Sequence, residues 1–279
     1  MSSYQIKQFC SLHHIKPRRE QGQNFLIDKN ILAKIVETAG LKKDDVVLEV
    51  GAGLGVLTKE LASRAKKVIA IEQDKKLFAV LEKELAGFKN VELINQDVFK
   101  VDFTDLKDFK IVSNLPYNIT SLFLRHFLSQ SASRRTQPNE MVLLVQKEVA
   151  KRIIARPPQM SLLAVSVQYY GQPKIISMVK NNSFWPIPAV DSAILKISNI
   201  KKINPSAGGE DKEFFKLVKI GFANKRKQLP NNLANGFGLT KPKSVDWLVK
   251  AGFNPKIRAQ ELSIDDWLTL FLSRDTLRC

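Results

Sequence analysis

Two cysteines, three histidines and four methionines are all the chain carries of the side chains that commonly hold soft metals, in 279 residues. Cys10 and Cys279 stand at opposite ends, and neither has a neighbour that completes a metal-ligand spacing, which argues against a disulfide scaffold and against a zinc site. Long apolar runs are missing too. No stretch approaches the roughly 18 residues that a membrane span needs. The first twenty residues, "MSSYQIKQFCSLHHIKPRRE", lack the apolar centre of a secretory signal. A cytoplasmic, reducing compartment with no membrane partner is expected. The third shortage is of acid: 27 Asp and Glu face 44 Lys and Arg, a formal net charge of +17. Such an excess draws a protein to polyanions, nucleic acid phosphates above all.

With 44% hydrophobic and 25% charged residues, the chain has the composition of a globular protein with a packed core. From residue 46 to about 146, short β-branched runs alternate with segments of helical period. "VVLEV" (46–50), "KVIAIE" (67–72), "VELIN" (91–95), "KIVSN" (110–114) and "MVLLVQ" (141–146) read as strands, and "LTKELASRA" and "KKLFAVLEKELAG" as helices between them. That alternation predicts a parallel, doubly wound α/β sheet. "LLAVSVQYYG", "PKIISMV" and "AILKISNI" add a helix and two further strands. The turn formers of "NPSAGGE" (204–210) mark a linker, and "EFFKLVKIGFAN", "SVDWLVKAG" and "SIDDWLTLFLSRD" then show helical periodicity. Two domains follow, an α/β domain over 1–203 and a small all-helical domain over 204–279.

Chemistry gathers at the strand ends. In "LEVGAGLGVLTKEL", Gly51, Gly53 and Gly55 fall between a strand and a helix, where backbone without Cβ passes close to a ligand. Glu72 ends the second strand, placed to accept both hydrogen bonds of a ribose diol, and Asp97, in "NQDVF", ends the third, placed for an adenine amino group. Either acid alone would be an ordinary surface charge; three strand ends agreeing in order are a nucleoside site. An NAD-type cofactor and S-adenosylmethionine both fit such a site. The Gly-x-Gly-x-Gly spacing, with no second phosphate-binding loop, favours the sulfonium over the dinucleotide, whose usual spacing is Gly-x-Gly-x-x-Gly.

"SNLPYNIT" (113–120) closes the fourth strand. Adenine's exocyclic amine is a poor nucleophile because its lone pair is delocalised into the ring. The Asn114 side-chain oxygen and the Leu115 carbonyl offer two acceptors for its hydrogens, and Tyr117 offers a stacking face for the extruded base. No histidine accompanies the motif. His13 and His14 lie far upstream, and His126 reads as a packed helix residue.

"GQNFLID" (22–28), "LEVGAGLGVLT", "IEQD", "NQDVF", "SNLPYNIT", "LVQKEVAKRI" and "SFWPIPAVDSAIL", in that order, resemble the ribosomal RNA adenine dimethyltransferases of the KsgA/Dim type, from about residue 16 to 197. The resemblance implies a Rossmann-like class I S-adenosylmethionine-dependent methyltransferase sheet with a helical C-terminal domain. It implies that Asn24 and Leu26 line the S-adenosylmethionine pocket with Gly51, Glu72, Asp97 and Asn114, and that Phe184 faces the target base opposite Tyr117. Read from the residues alone, Phe184 and Trp185 are core aromatics. The implied reaction is dimethylation of N6 on two adjacent adenines in a loop of small-subunit ribosomal RNA, performed by a monomer on the rRNA or the pre-assembled small subunit. "FANKRKQLPNNL" resembles the family's basic helix, with Pro230 as a departure. Two rivals remain: a large-subunit adenine dimethyltransferase, which shares the glycine and "NLPY" motifs, and a non-catalytic nucleic-acid-binding relative.

Overall fold

The computed structural model describes residues 3–18, 22–129, 137–201 and 210–274. Nearly all of "NPSAGGE", most of the basic "SASRRTQPNE" (131–140) and Cys279 lie outside them. By its internal contacts the chain divides into two units, Met1–Ala150 with Gly171–Lys202, and Lys151–Tyr170 with Ile203–Cys279.

The first unit runs α1 (Ser3–Leu12), β1 (Phe25–Leu26), α2 (Lys29–Ala39), β2 (Val46–Val50), α3 (Val56–Ala62), β3 (Lys67–Ile71), α4 (Lys75–Glu84), β4 (Val91–Ile94), β5 (Phe109–Asn114), α5 (Thr120–Leu128) and β6 (Glu140–Gln146). The helix α6 (Lys147–Ile153) begins in it, α7 (Leu162–Gln168) belongs to the second unit, and β7 (Gln172–Val179), β8 (Phe184–Trp185) and β9 (Ser192–Ser198) return to the first. Seven strands form one sheet in the order β4-β3-β2-β5-β6-β9-β7. The pairs from β4 to β6 are parallel, as the alternation predicts, while β9 is antiparallel to both β6 and β7. Val47, Leu48, Val68, Ala70, Ile111 and Val112 are buried, as strands covered on both faces require.

The chain steps from β2 outward to β3 and β4, then crosses back to place β5 on the other side of β2. Strand order reverses between β2 and β5, which opens a crevice at their C-terminal ends. Local chemistry sets the helices that flank it. Asp28 caps α2 by accepting from the Asn30 and Ile31 amides, and Asp74 caps α4 by accepting from those of Lys76 and Leu77. A separate ladder pairs β1 with β8, Phe25 opposite Trp185 and Leu26 opposite Phe184. Residues some 160 positions apart thereby share one wall.

The second unit adds α8 (Glu210–Gly221), α9 (Leu229–Phe237), α10 (Lys241–Lys250) and α11 (Ile264–Leu272). Its core joins Phe214 and Leu217, Leu233, Trp247, Trp267 and Phe271. The helices meet so closely that a Cβ on Gly221 would lie 2.3 Å from the Trp267 ring. Residues 151–170 were expected in the α/β domain, but they group here because Met160, Ala164 and Val165 pack into this aromatic core. Lys225, Arg226 and Lys227 are exposed in the turn before α9 rather than on a basic helix, and Pro230 sits in the first turn of α9, where its missing N–H costs no hydrogen bond.

Candidate active site

A cavity of about 360 Å³ occupies the crevice, within the range of small-ligand pockets. Among the described residues, four of its lining side chains are acidic, Glu49, Glu72, Asp74 and Asp97, and none is Lys, Arg or His. In a chain of net charge +17 this is the reverse of the overall balance. A ligand carrying positive charge is better matched to these acids than a pyrophosphate is.

The glycine loop forms the floor. Gly51 has φ +76° and its N–H donates to the Ile71 carbonyl at 2.8 Å, while a Cβ at this position would stand 3.2 Å from the Pro116 ring. Only glycine combines that backbone with so close an approach. The loop after β2 is thus packed against the loop after β5. Glu72 is buried and bridges two backbone segments: Oε2 accepts from the Gly53 N–H and Oε1 from the Asp74 N–H, each at 2.9 Å. Burial pushes its carboxyl up from the usual range, and the backbone donors oppose that.

Glu49, one residue before the end of β2, was not singled out in the sequence. It is 2% exposed, it lines the cavity, and its Oε2 has no hydrogen-bond partner among the described residues. Burial raises its pKa to about 8, with the nearby Glu72 charge adding to the rise and the Thr58 hydroxyl opposing it. The hydroxyl is close enough to act on the carboxyl yet stands without a well-formed hydrogen bond of its own. A buried carboxyl with an unpaired oxygen turned to a cavity is a poor structural device and a ready partner for a cation. The available signal was an acid set inside an otherwise apolar strand, "VVLEV".

Asp97 lines the cavity and uses Oδ1 to cap the turn that follows β4, accepting from the Phe99 N–H at 3.0 Å. Asn114 ends β5. Its Nδ2 donates to the Asn24 carbonyl at 3.1 Å, and Asn24 in turn donates to the Gly22 carbonyl. That commitment of the amide nitrogen leaves the Asn114 oxygen as the acceptor presented elsewhere. Asn24 and Leu26, implied by resemblance only, therefore stand at the cavity beside Asn114, together with Leu115 and Tyr117. The Tyr117 hydroxyl is bonded to that of Ser192 at 2.6 Å.

Phe184 is placed differently from the expectation. It is 1% exposed, belongs to the core cluster with Leu26, Val179 and Ile194, and is not among the cavity-lining residues. Its ring packs with Leu26, its partner in the two-stranded ladder, while Trp185, next along the strand, stacks near Phe25 with ring centres 6.4 Å apart. His126 packs against Phe99 and Phe127, away from any acid or base task in the cavity. Cys10 is buried, and burial pushes its thiol up to about 11. No described helix is long and apolar enough to cross a membrane.

Residues 14–275 match the family model for ribosomal RNA adenine dimethylase. A ribosomal RNA small subunit methyltransferase A from Dehalococcoides mccartyi is 43% identical over 272 residues, covering 96% of this chain and 92% of its own. The protein of the same description from Moorella thermoacetica is 40% identical, with 91% of each chain covered. Among solved structures, a dimethyladenosine transferase from Plasmodium falciparum superposes with a TM-score of 0.75 at 28% identity, over 91% of this chain and 98% of that one. The 23S rRNA methyltransferase ErmE does so with 0.72, also at 28% identity, over 90% and 100%.

Proposed function

The chain belongs to the ribosomal RNA adenine dimethylase family, and from that membership we propose how its own residues carry the reaction. It is an enzyme that methylates adenine in small-subunit ribosomal RNA. Relatives of that description reach 43% identity against 28% for the large-subunit enzyme ErmE, which favours the small-subunit reading over the large-subunit one. A non-catalytic relative is disfavoured by the acidic cavity, which has no use in a protein that binds only phosphates.

S-adenosylmethionine, when bound, supplies an electrophilic methyl group on a sulfonium. The residues that would hold it are Gly51 and the backbone of its loop, Glu72 toward the ribose hydroxyls, Asp97 through its free oxygen toward the adenine amine, and Asn24 and Leu26 along the opposite wall. Glu49 would take the cationic amine of the amino-acid part, since its buried Oε2 has no hydrogen-bond partner among the described residues.

The target adenine is handled by the segment after β5. The Asn114 oxygen and the Leu115 carbonyl accept the two amine hydrogens, which draws the nitrogen lone pair out of the ring and toward the methyl donor. Tyr117 stacks on the base and replaces the neighbours lost when it leaves its loop. No histidine lines the cavity and no strong base is required, because the amine turns acidic as it becomes fully substituted and its proton leaves to water. Catalysis is then positioning and electrostatic preorganisation. Phe184 enters this proposal in a narrower role, as the packing behind Leu26 that fixes the wall facing Tyr117.

The single observation that carries the reading is the Asn114 amide, oriented by Asn24 at a cavity whose charged lining side chains, among the described residues, are all acids. Two adjacent adenines in one loop, each methylated twice, are the proposed products. The exposed Lys225, Arg226 and Lys227 of the helical region 204–279 are proposed to meet RNA phosphates, with the enzyme acting as a monomer on the small subunit in the cytoplasm. The test is to incubate the protein with labelled S-adenosylmethionine and unmethylated small subunits, or large subunits as a control, and map the label. Label on adenine N6 of the small subunit alone is expected. Label on the large subunit would overturn the reading.

A further inference from the structure

Ser192 is the first residue of β9 and is fully buried. It does not line the cavity, yet its hydroxyl meets the Tyr117 hydroxyl at 2.6 Å. A buried serine in a strand of Ala, Ile and Leu is an odd choice unless the hydroxyl has a task, since an alanine there would leave nothing to satisfy.

Its surroundings are unusually well fixed. Ser192 is paired on one side with Gln146 of β6 and on the other with Val179 of β7. The residue before it, Asp191, accepts the Lys147 N–H on its carbonyl at 3.0 Å and the Asn181 N–H on its carboxylate at 3.2 Å, with Lys147 Nζ 3.6 Å away. Tyr117 is held more lightly: the Thr120 hydroxyl donates to its carbonyl at 3.4 Å. It lies in the turn between β5 and α5, three residues beyond the last strand residue, and its phenol oxygen is hydrogen-bonded to Ser192 of the sheet. The same Asp191 holds the turn 181–183 that leads into Phe184. One dipeptide thus reaches both Tyr117 and the turn that precedes Phe184.

We propose that Ser192 is a positioning residue for methyl transfer: by holding the phenol oxygen of Tyr117 against the central sheet, it fixes the plane of the ring on which the target adenine stacks. Ser192 does not touch the base. Its effect runs through Tyr117, so it belongs to the transfer step rather than to cofactor or RNA affinity. The inference rests on the reading that Tyr117 is the stacking face.

Tyr117→Phe and Ser192→Ala each remove the bond from one end and leave the ring in place. Under single-turnover conditions with unmethylated small subunits, each is expected to slow transfer about tenfold, within the penalty that small misplacements of reacting groups carry. The double variant Tyr117→Phe/Ser192→Ala is expected to be no slower than either single one, because both changes delete the same bond. Affinities for S-adenosylmethionine and for the subunit should stay within twofold of the parent. Tyr117→Ala separates the two layers of the claim. A parent-like rate for Tyr117→Ala would remove the stacking reading altogether. A slow Tyr117→Ala beside parent-like Tyr117→Phe and Ser192→Ala would keep stacking and overturn the role of Ser192. So would effects that multiply in the double variant. Tyr117→Phe, which alters no buried strand residue, decides the matter even if Ser192→Ala folds poorly.

Discussion

Glu49→Gln should make the protein's stability less sensitive to pH, and the size of the effect follows from the burial of one carboxyl. In the folded protein this carboxyl titrates near 8 because burial disfavours its charged form, against an ordinary value near 4.5. Between those values the folded state holds a proton that the unfolded chain releases. Stability contributed by Glu49 is therefore full below about pH 4.5, is lost progressively as pH rises, and is gone above about 8. The slope for one such proton is about 1.4 kcal/mol per pH unit. Glutamine mimics the protonated form and has no such slope. The variant and the parent should be equally stable near pH 5, and the variant should lead by a few kcal/mol at pH 8. Urea unfolding of both proteins at half-unit steps from pH 5 to 8.5 measures the difference, and subtracting one curve from the other cancels every other titrating group. Parallel curves would show that Glu49 is ionised in the folded protein at neutral pH. The same variant should bind S-adenosylmethionine more weakly at pH 8, where only the parent offers a carboxylate to the cationic amine.

Glu72→Ala removes the acceptor of the Gly53 and Asp74 amides as well as the proposed ribose contact, and calorimetry should show cofactor affinity weaker by about 1.5 to 3 kcal/mol. Gly51→Ala places a Cβ 3.2 Å from the Pro116 ring on a left-handed backbone, and should lower unfolding stability by about 1 to 3 kcal/mol while cofactor affinity falls. Asn114→Ala should reduce the single-turnover rate by about a hundredfold or more with subunit affinity nearly unchanged, since phosphates dominate that affinity; an equal loss in both would relocate Asn114 to RNA binding. Phe184→Ala should lower stability by about 3 kcal/mol through the cavity it leaves, whereas Phe184→Leu should keep the transfer rate if the ring serves only as packing. Replacing Lys225, Arg226 and Lys227 together by Ala should flatten the salt dependence of subunit binding by a slope of about 2 if all three meet phosphate, as read by filter binding from 50 to 300 mM salt.

The sheet was legible because its strands are short runs of Val and Ile bounded by Gly, Asp and Asn, and the strand ends carried the site residues in chain order. Where the sequence reading went astray, the deciding contact was far away along the chain. Nothing in "LLAVSVQYYG" says whether its apolar face meets the sheet or the Phe and Trp residues of 210–274, and it meets the latter. The burial of Phe184 depends on packing with Leu26, 158 positions upstream, and with Val179 and Ile194, which no local pattern encodes. The Tyr117 to Ser192 bond joins two motifs that were both noticed, but their hydroxyls carry no mark of pairing until the β6 to β9 register is known. Glu49 was hidden for a different reason. An acid inside a strand reads as the polar half of an alternating pattern, and only the closed surface around it shows that it has no water to face.

A protein that must attract a polyanion and also hold a cationic nucleoside has conflicting electrostatic requirements, and burial reconciles them here. Four full carboxylate charges in one cavity would offset part of the field that draws RNA toward a chain of net charge +17. Two of the four, Glu49 and Glu72, are buried with raised pKa values, and each disfavours ionisation of its neighbour or is itself held by backbone amides. With the Glu49 carboxyl pushed up to about 8, the cavity carries less negative charge at neutral pH than its four acids imply. Positive charge entering with a ligand lowers the cost of ionising Glu49, so the full negative charge of the cavity develops only when a cation is there to compensate it. This coupling has a direct consequence for affinity: a ligand that must displace a proton from Glu49 binds more weakly as pH falls below about 8, by up to tenfold per unit for one proton released. Calorimetric titration with S-adenosylmethionine in two buffers of different ionisation enthalpy counts that proton. A count near one at pH 7, and near zero in Glu49→Gln, is the expected result; equal counts in the two proteins would place the coupling elsewhere in the cavity.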